Sequence, residues 1–254
     1  MTDRVPDRFA VLADIHGNAD ALRAVLADID AQGLDRVVNL GDHFSGPLAA
    51  AETAELLAAR DITTIRGNHD RSLIQQHPHE MSPSDFAAFS ELQPRHIDWL
   101  ESLSPTAHFG HDVLLCHATP HDDQTYWLHE VREDGSTGAR DAAGIARLGR
   151  DADFPLILCA HTHLPAAIRL PDGRRIVNPG SVGLPAYEDI HPVPHVMQSG
   201  TPDACYAVLD RAGDAWQVSH RRVPYDPARM TDLARRAGRA DWAHALATGW
   251  LSDD

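Results

Sequence analysis

Ile62-Thr63-Thr64-Ile65-Arg66-Gly67-Asn68-His69-Asp70 is an apolar run that ends in glycine and three polar side chains. It reads as a buried strand delivering Asn68 and His69 to its tip. In isolation Gly-Asn-His-Asp makes an ordinary turn, because Asn and Asp favour turn geometry and Gly permits close backbone approach. The same pattern recurs four times. Phe9 to Ala13 runs into Asp14-Ile15-His16, and Arg36 to Leu40 runs into Gly41-Asp42-His43. Asp112 to Cys116 ends at His117, and Phe154 to Ala160 ends at His161-Thr162-His163. Taken singly, a strand-end histidine is an ordinary surface or core residue. Five strand ends carrying metal-ligand types are poorly explained by coincidence.

Between these ends the pattern becomes helical. Ala19 to Gln32 places Leu22, Val25, Leu26 and Ile29 on one face, with Asn18 as cap and Gly33 as stop. A helix from about Leu48 to Arg60 returns the chain to Ile62. This strand-helix alternation implies parallel strands whose carboxyl ends share an edge, where ligand sites of α/β sheets lie. Helices are expected over Asp70–Gln76, Ser84–Leu92 and Pro94–Leu103, with Pro83 and Pro94 in first turns. Thr106–Phe109 and Asp112–Cys116 read as strands around Gly110, and Asp141–Leu148 as a short helix. Ala166–Leu170 with Arg174–Val177, and Cys205–Asp210 with Ala215–Val223, read as hairpins. Two helices, near Pro227–Ala237 and Asp241–Ala247, close the chain. The second half is therefore more antiparallel. Ala118 to Arg140 reads as an irregular insertion near 118–140 covering the site, and Leu184 to Pro202 as a long loop near 184–202. No composition shift divides the 254 residues, so one domain over 1–254 is expected.

Charge narrows the function classes. The formal net charge is -15, and the 22 basic residues are all Arg, which argues against general nucleic-acid binding. No apolar run approaches the ~18 residues of a membrane span. The first eight residues lack the basic and apolar regions of a signal peptide, so a cytoplasmic protein is expected. Cys116, Cys159 and Cys205 are odd in number and lack CxxC spacing, so they read as reduced core residues. Cys116 should face away from whatever His117 serves, because neighbours on a strand alternate.

The same alternation puts Asp14 and His16 on one side of their strand end, and His161 and His163 on one side of theirs. With Asp42, Asn68 and His117 they make seven donors, more than one tetrahedral site uses. Imidazole with carboxylate suits Mn, Fe, Zn, Ni or Co better than Ca. Two divalent transition-metal ions are the natural count.

These five ordered blocks resemble the calcineurin-like metallophosphoesterase superfamily over about Phe9 to Val182. Asn178-Pro179-Gly180-Ser181-Val182-Gly183 resembles the tail of its compact prokaryotic phosphodiesterase branch. The resemblance implies an α/β (α+β) fold, a four-layer αββα sandwich of two mixed β-sheets flanked by helices. It implies that Asp14, His16 and His163 hold one metal, that Asn68, His117 and His161 hold the other, and that Asp42 bridges them. His69 would be the catalytic histidine, oriented by Asp70, with a metal-bridging hydroxide attacking a phosphodiester or phosphomonoester. Two ions would also supply the positive charge that so acidic a chain lacks around an anionic substrate. Ala160 and Ala118 stand where the family commonly has Gly. The span from Asp42 to Gly46-Pro47 is one residue shorter than usual, which puts His43 beside the bridging Asp as a candidate substrate contact. Tyr126 and His191, from the two long segments, are the other candidates. A serine/threonine protein phosphatase of the same superfamily, or a non-catalytic interaction scaffold, are the competing readings. The scaffold is disfavoured because His69 and all seven donors are kept. A small phosphoester is the expected partner, and the sequence leaves homo-oligomerisation open.

Overall fold

The computed structural model describes residues 5–252; residues 1–4 of the polar N-terminal stretch lie outside them. In the first strand, β1 (Arg8–Leu12), alternate side chains enter different layers. Phe9 and Val11 face a core between two sheets, and Ala10 and Leu12 face a core beneath helices. Beside β1 lie β2 (Val37–Asn39) and β3 (Ile62–Thr64), both parallel to it. The long hairpin β13 (Ala204–Ala212) and β14 (Ala215–Val223) completes the sheet on the other side, with β13 antiparallel to β1. The sheet order is β14-β13-β1-β2-β3.

The second sheet repeats this design. β5 (Val113–Cys116), β8 (Leu156–Leu158) and β10 (Arg175–Asn178) run parallel, edged by antiparallel β4 (Thr106–Phe109) and β9 (Ala166–Arg169). Val113, Leu115, Leu156, Leu158 and Val177 meet Phe9, Val11, Val38 and Leu40 between the sheets. Edge-on ring contacts of Phe9 with Phe109 and Trp216 close one end, at 5.2 and 5.3 Å between centroids. Leu114, Cys116, Ile157, Cys159 and Ile176 point to the outer face. There α6 (Ala142–Leu148) and the Trp127-Leu128 segment cover them. Cys116 thus faces away from His117, as strand alternation requires.

Over the first sheet lie α1 (Ala19–Ala31), α2 (Ala50–Ala58), α3 (Asn68–Gln75), α4 (Pro83–Glu91) and α5 (Pro94–Ser102). Leu22, Val25, Leu26 and Ile29 of α1 are buried, and the Asn18 side chain accepts from Ala21 N at 3.0 Å. Burying each large aliphatic side chain contributes about 1.5–3 kcal/mol, so the apolar stripe fixes where α1 lies. The layers are helix, sheet, sheet, helix. Near the C-terminus α7 (Ala228–Arg236) and α8 (Ala240–Thr248) pack Met230, Ala234, Trp242 and Leu246 against Leu48 and Leu184.

Two stretches expected to be irregular carry strands. Within 118–140, β6 (His129–Val131) pairs with β7 (Thr137–Ala139), and within 184–202, β11 (Ala186–Asp189) pairs with β12 (His195–Gln198). These hairpins are three or four residues deep and sit among turn-forming residues, which hides their periodicity. Among the described residues no helix is long and apolar enough to cross a membrane.

Candidate metal centre and active site

Each ligand-bearing loop follows a parallel strand, and the backbone there is unusual. Asp14, His16, Asp42, His161 and His163 all have positive φ, between 52° and 69°. Non-glycine residues seldom adopt this region, and each instance costs of order 1–3 kcal/mol unless the surroundings enforce it. The surroundings do so here. Ile15 N and His16 N both donate to Asp42 O at 2.9 and 3.1 Å, and Asp14 N donates to Gly41 O at 3.0 Å. Gly41 and Gly67 make the close approach that joins the loops. A Cβ on Gly67 would lie 2.2 Å from Asp42 Oδ1.

The Asn178–Gly183 turn braces the opposite side. Val182 N and Gly183 N donate to Ala13 O and Asp14 O at 3.0 Å each. Asn178 Nδ2 donates to Ala160 O at 2.8 Å and Thr162 Oγ1 at 3.0 Å. One turn therefore holds two ligand loops from different sheets.

The side chains assemble into two groups, Asp14/His16/His163 and Asp42/His117/His161, with donor atoms in each within 4.8 Å of one another. Asp42 Oδ2 reaches toward both, 3.9 Å from His16 Nε2 and 3.2 Å from His117 Nε2. Asn68 Oδ1 lies 3.0 Å from His117 Nε2. The second ring nitrogens are tied to backbone carbonyls. His16 Nδ1 pairs with Ser45 O at 2.8 Å, His163 Nδ1 with Leu184 O at 2.7 Å, and His117 Nδ1 with Leu40 O at 2.8 Å. His161 is turned the other way, its Nε2 on Gln124 O at 2.9 Å. A carbonyl only accepts, so each ring donates there and turns its other nitrogen toward the cluster.

The arrangement fits divalent cations. Both oxygens of Asp14 are buried without a hydrogen-bond partner, which is costly for a carboxylate unless a cation compensates it. His16 Nε2 and His163 Nε2 face each other at 3.1 Å, and two lone pairs at that distance repel unless a proton or cation lies between them. Burial pushes the Asp14 carboxyl up to about 8, with the charge of Asp42 adding and that of His117 opposing. Burial pushes His16 and His161 down to about 4, and His163 also down, keeping these imidazoles neutral and able to ligate. His117 goes the other way, to about 10, because the adjoining Asp42 outweighs burial. Burial opposes the charge of Asp42 too, but His117, His69 and His16 hold it well below the usual range.

His69 stands at the mouth, its side chain 33% exposed. Its backbone N–H donates to Asp42 Oδ1 at 3.0 Å, and its Nδ1 pairs with Asp85 Oδ1 at 2.8 Å. Burial disfavours its charge, yet Asp42 and Asp85 raise it to about 9. The orienting carboxylate is thus Asp85, on α4, in place of the expected Asp70. Asp70 is a tie between loops: Oδ2 accepts from Asp42 N and Gly67 N, both at 2.8 Å, and Oδ1 from His43 N at 3.0 Å. His43 follows it inward. Its Nδ1 pairs with Asp70 at 2.8 Å and its Nε2 with Thr64 Oγ1 at 3.1 Å, with 0% of the residue exposed. His43 cannot touch substrate, and the expectation from its adjacency to Asp42 is corrected.

Tyr126 and His191 do border the site. The Tyr126 ring packs on His161 at 4.9 Å, while its hydroxyl lies between Tyr187 OH at 2.9 Å and His195 Nε2 at 3.1 Å. The Tyr126 hydroxyl is thus taken up by these partners, and the residue borders the cavities on either side of the donors. His191 lines a cavity that also touches Asn68 and His161. Asp85, Gln124, Arg239 and Trp242 were not anticipated. The only signal for Asp85 was Ser82-Pro83-Ser84-Asp85, which also reads as an ordinary helix start. Indeed Asp85 N donates to Ser82 Oγ at 3.1 Å.

The two-sheet sandwich thus gathers strand-end Asp, His and Asn side chains able to hold metal ions beside a partly exposed histidine. The chain belongs to the calcineurin-like phosphoesterase superfamily, whose domain model matches residues 8–212. It is similar to a metallophosphoesterase from Sphaerobacter thermophilus, with 28% identity and a TM-score of 0.74 over 96% of this chain and 99% of that one. A hypothetical protein from Pyrococcus horikoshii shares the fold at a TM-score of 0.74 and 19% identity, covering 96% of this chain and 99% of that chain. An uncharacterised protein of Methanocaldococcus jannaschii is 25% identical over 246 residues, 87% of this chain and 89% of its own length.

Proposed function

We propose that this protein is a phosphoesterase dependent on two divalent metal ions, with a preference for phosphodiesters. The buried, unpartnered carboxylate of Asp14 between His16 and His163 carries the reading. These three would hold one ion, and Asn68, His117 and His161 the other, with Asp42 between them. Ions bound there would polarise the phosphoryl oxygens and lower the pKa of the attacking water. The protein's own groups do the rest. His69, held by Asp85, presents its remaining nitrogen to the cleft and donates a proton to the departing oxygen. Asp70 and the Asn178–Gly183 turn keep the ligand loops in their strained geometry. Two cavities meeting at the donors favour an ester with two arms.

Metal-stripped protein reconstituted separately with Mn, Fe, Ni, Zn and Co should hydrolyse an aryl phosphodiester faster than the matching monoester. Activity on neither ester with any of these metals would overturn the proposal.

A further inference from the structure

Asn68, Tyr126, His161 and Asp189 border two cavities at once, of about 320 and 440 Å³. The donors therefore sit at a junction and not at the bottom of a single pit. His69 borders only the smaller cavity, together with Arg239, Asp241 and Trp242 at the start of α8. The larger is bordered instead by Gln124, Arg140 and His191. In an in-line displacement the departing oxygen must come within hydrogen-bond reach of the proton donor. The leaving alcohol then occupies the smaller cavity and the retained arm the larger.

The walls of the smaller cavity set the chemistry of that alcohol. Outside the donor cluster and His69, the charged residues bordering it are Glu188, Asp189, Arg239 and Asp241. Arg239 is already engaged: Nε and Nη2 donate to Asp241 at 3.0 and 2.6 Å, and Nη1 to Ser84 Oγ at 2.8 Å. That pair cancels; Asp189, whose Oδ1 accepts from His191 N at 3.0 Å, borders both cavities, so Glu188 is the carboxylate particular to this wall. No lysine exists in the chain to offset it. Tyr187 and Trp242 also line the cavity; Tyr187 packs on His163 at 4.6 Å, and the Trp242 ring already carries a cation, the Arg239 guanidinium 5.6 Å from its centroid. α8 lies beyond residue 212, where the match to the superfamily domain ends.

Resting on the phosphodiesterase reading, we propose that the cavity shared by His69 and α8 is a leaving-alcohol subsite. It selects an ammonium-bearing alcohol over an uncharged one and rejects an alcohol carrying a further phosphate or carboxylate. The reaction remains hydrolysis. Water adds its oxygen to phosphorus and releases a proton to solvent, the P–O bond to the ammonium-bearing alcohol breaks, and that oxygen takes a proton from His69, which regains one from solvent. The other arm leaves as a phosphomonoester.

The test uses metal-loaded full-length protein and three methyl phosphodiesters, of choline, 2-methoxyethanol and glycolate, with products followed by phosphorus NMR. An aryl phosphodiester serves as control. The expected kcat/KM order is choline, then methoxyethanol, then glycolate, with about a two- to fivefold step for each unit of charge. Glu188→Gln, at an exposed position, should narrow that span, and Glu188→Gln with Asp189→Asn should narrow it further. Equal rates for the three esters, a preference for glycolate, or a span unchanged in Glu188→Gln while the aryl ester is still cleaved would overturn the subsite alone. Failure to cleave the aryl ester would overturn the phosphodiesterase reading, and the subsite with it.

Discussion

Asp14, His16 and His163 are 0, 3 and 5% exposed, while in the second group Asn68 and His161 are only half-buried. The anchors differ as well. The first group hangs on carbonyls of Ser45 and Leu184 and is clamped by the Asn178–Gly183 turn. In the second, His161 leans on Gln124 O and receives the Tyr187 hydroxyl on its own carbonyl at 3.2 Å. Gln124 and Tyr187 belong to the two stretches that carry the short hairpins. Both groups thus lean on the 184–202 stretch, through Leu184 in the first and Tyr187 in the second, but the second also depends on Gln124 of the 118–140 stretch and is the more exposed. On the two-ion reading proposed above, the difference predicts a tighter hold on metal in the first group than in the second.

The largest effect should come from Asp42, whose Oδ2 reaches toward both groups. Asp42→Asn is expected to remove metal from the two sites together and abolish turnover, as seen by metal analysis beside an ester assay. His69→Ala should keep both ions and lose about 10²- to 10⁴-fold in kcat. Asp85→Asn should lower kcat in the same direction by less. If His69→Ala emerges stripped of metal, the separation between holding ions and moving protons fails.

Next come two substitutions aimed at one group each. A Cβ at residue 183 would meet Ile15 O at 1.7 Å. Gly183→Ala should therefore cost about 1–3 kcal/mol of stability and weaken the first group, measured by denaturant unfolding and metal titration. Tyr187→Phe should leave stability nearly unchanged and weaken metal binding in the second group by about tenfold. Equal effects of the two on both sites would erase the distinction.

The pH dependence of the metal-free protein gives the smallest effect. In the folded chain burial raises Asp14 to about 8, and, against burial, the charge of Asp42 raises His69 and His117 to about 9 and 10, all above their unfolded values. The folded state therefore holds more protons than the unfolded state above about pH 6.5, and stability falls as pH rises through 8 to 10. Between about pH 4 and 6.5, His16 and His161, both pushed down to about 4, act oppositely and stability rises with pH, against a falling contribution from Asp14. Thermal melts of chelator-treated protein should thus peak near pH 6.5, and Asp14→Asn should flatten the fall between 6.5 and 8.

The same division governs what was legible in the sequence. Strand ends with ligand types could be read because each follows an apolar run closed by a polar tip, and the helix α1 because its stripe and its Asn18 cap agree. His43 misled because adjacency to Asp42 says nothing of direction; the positive φ of Asp42 and the pull of Asp70 turn it into the core. Asp85 was hidden because its contact with His69 spans sixteen residues and its Ser82 neighbour gives it a local explanation. The hairpins were hidden because short strands among Gly, Pro and polar residues have no period to count. Long apolar patterns announce themselves, whereas contacts made by short appended pieces depend on tertiary placement.

Stepwise chelation of the metal-loaded protein, with metal content measured in wild type, His161→Ala and His163→Ala, tests the unequal two-group centre most directly. Wild type should carry two ions per chain and release one well before the other. His161→Ala should retain the slowly released ion, and His163→Ala should lose it. A single ion in wild type, or loss of the slow ion in His161→Ala, would contradict it.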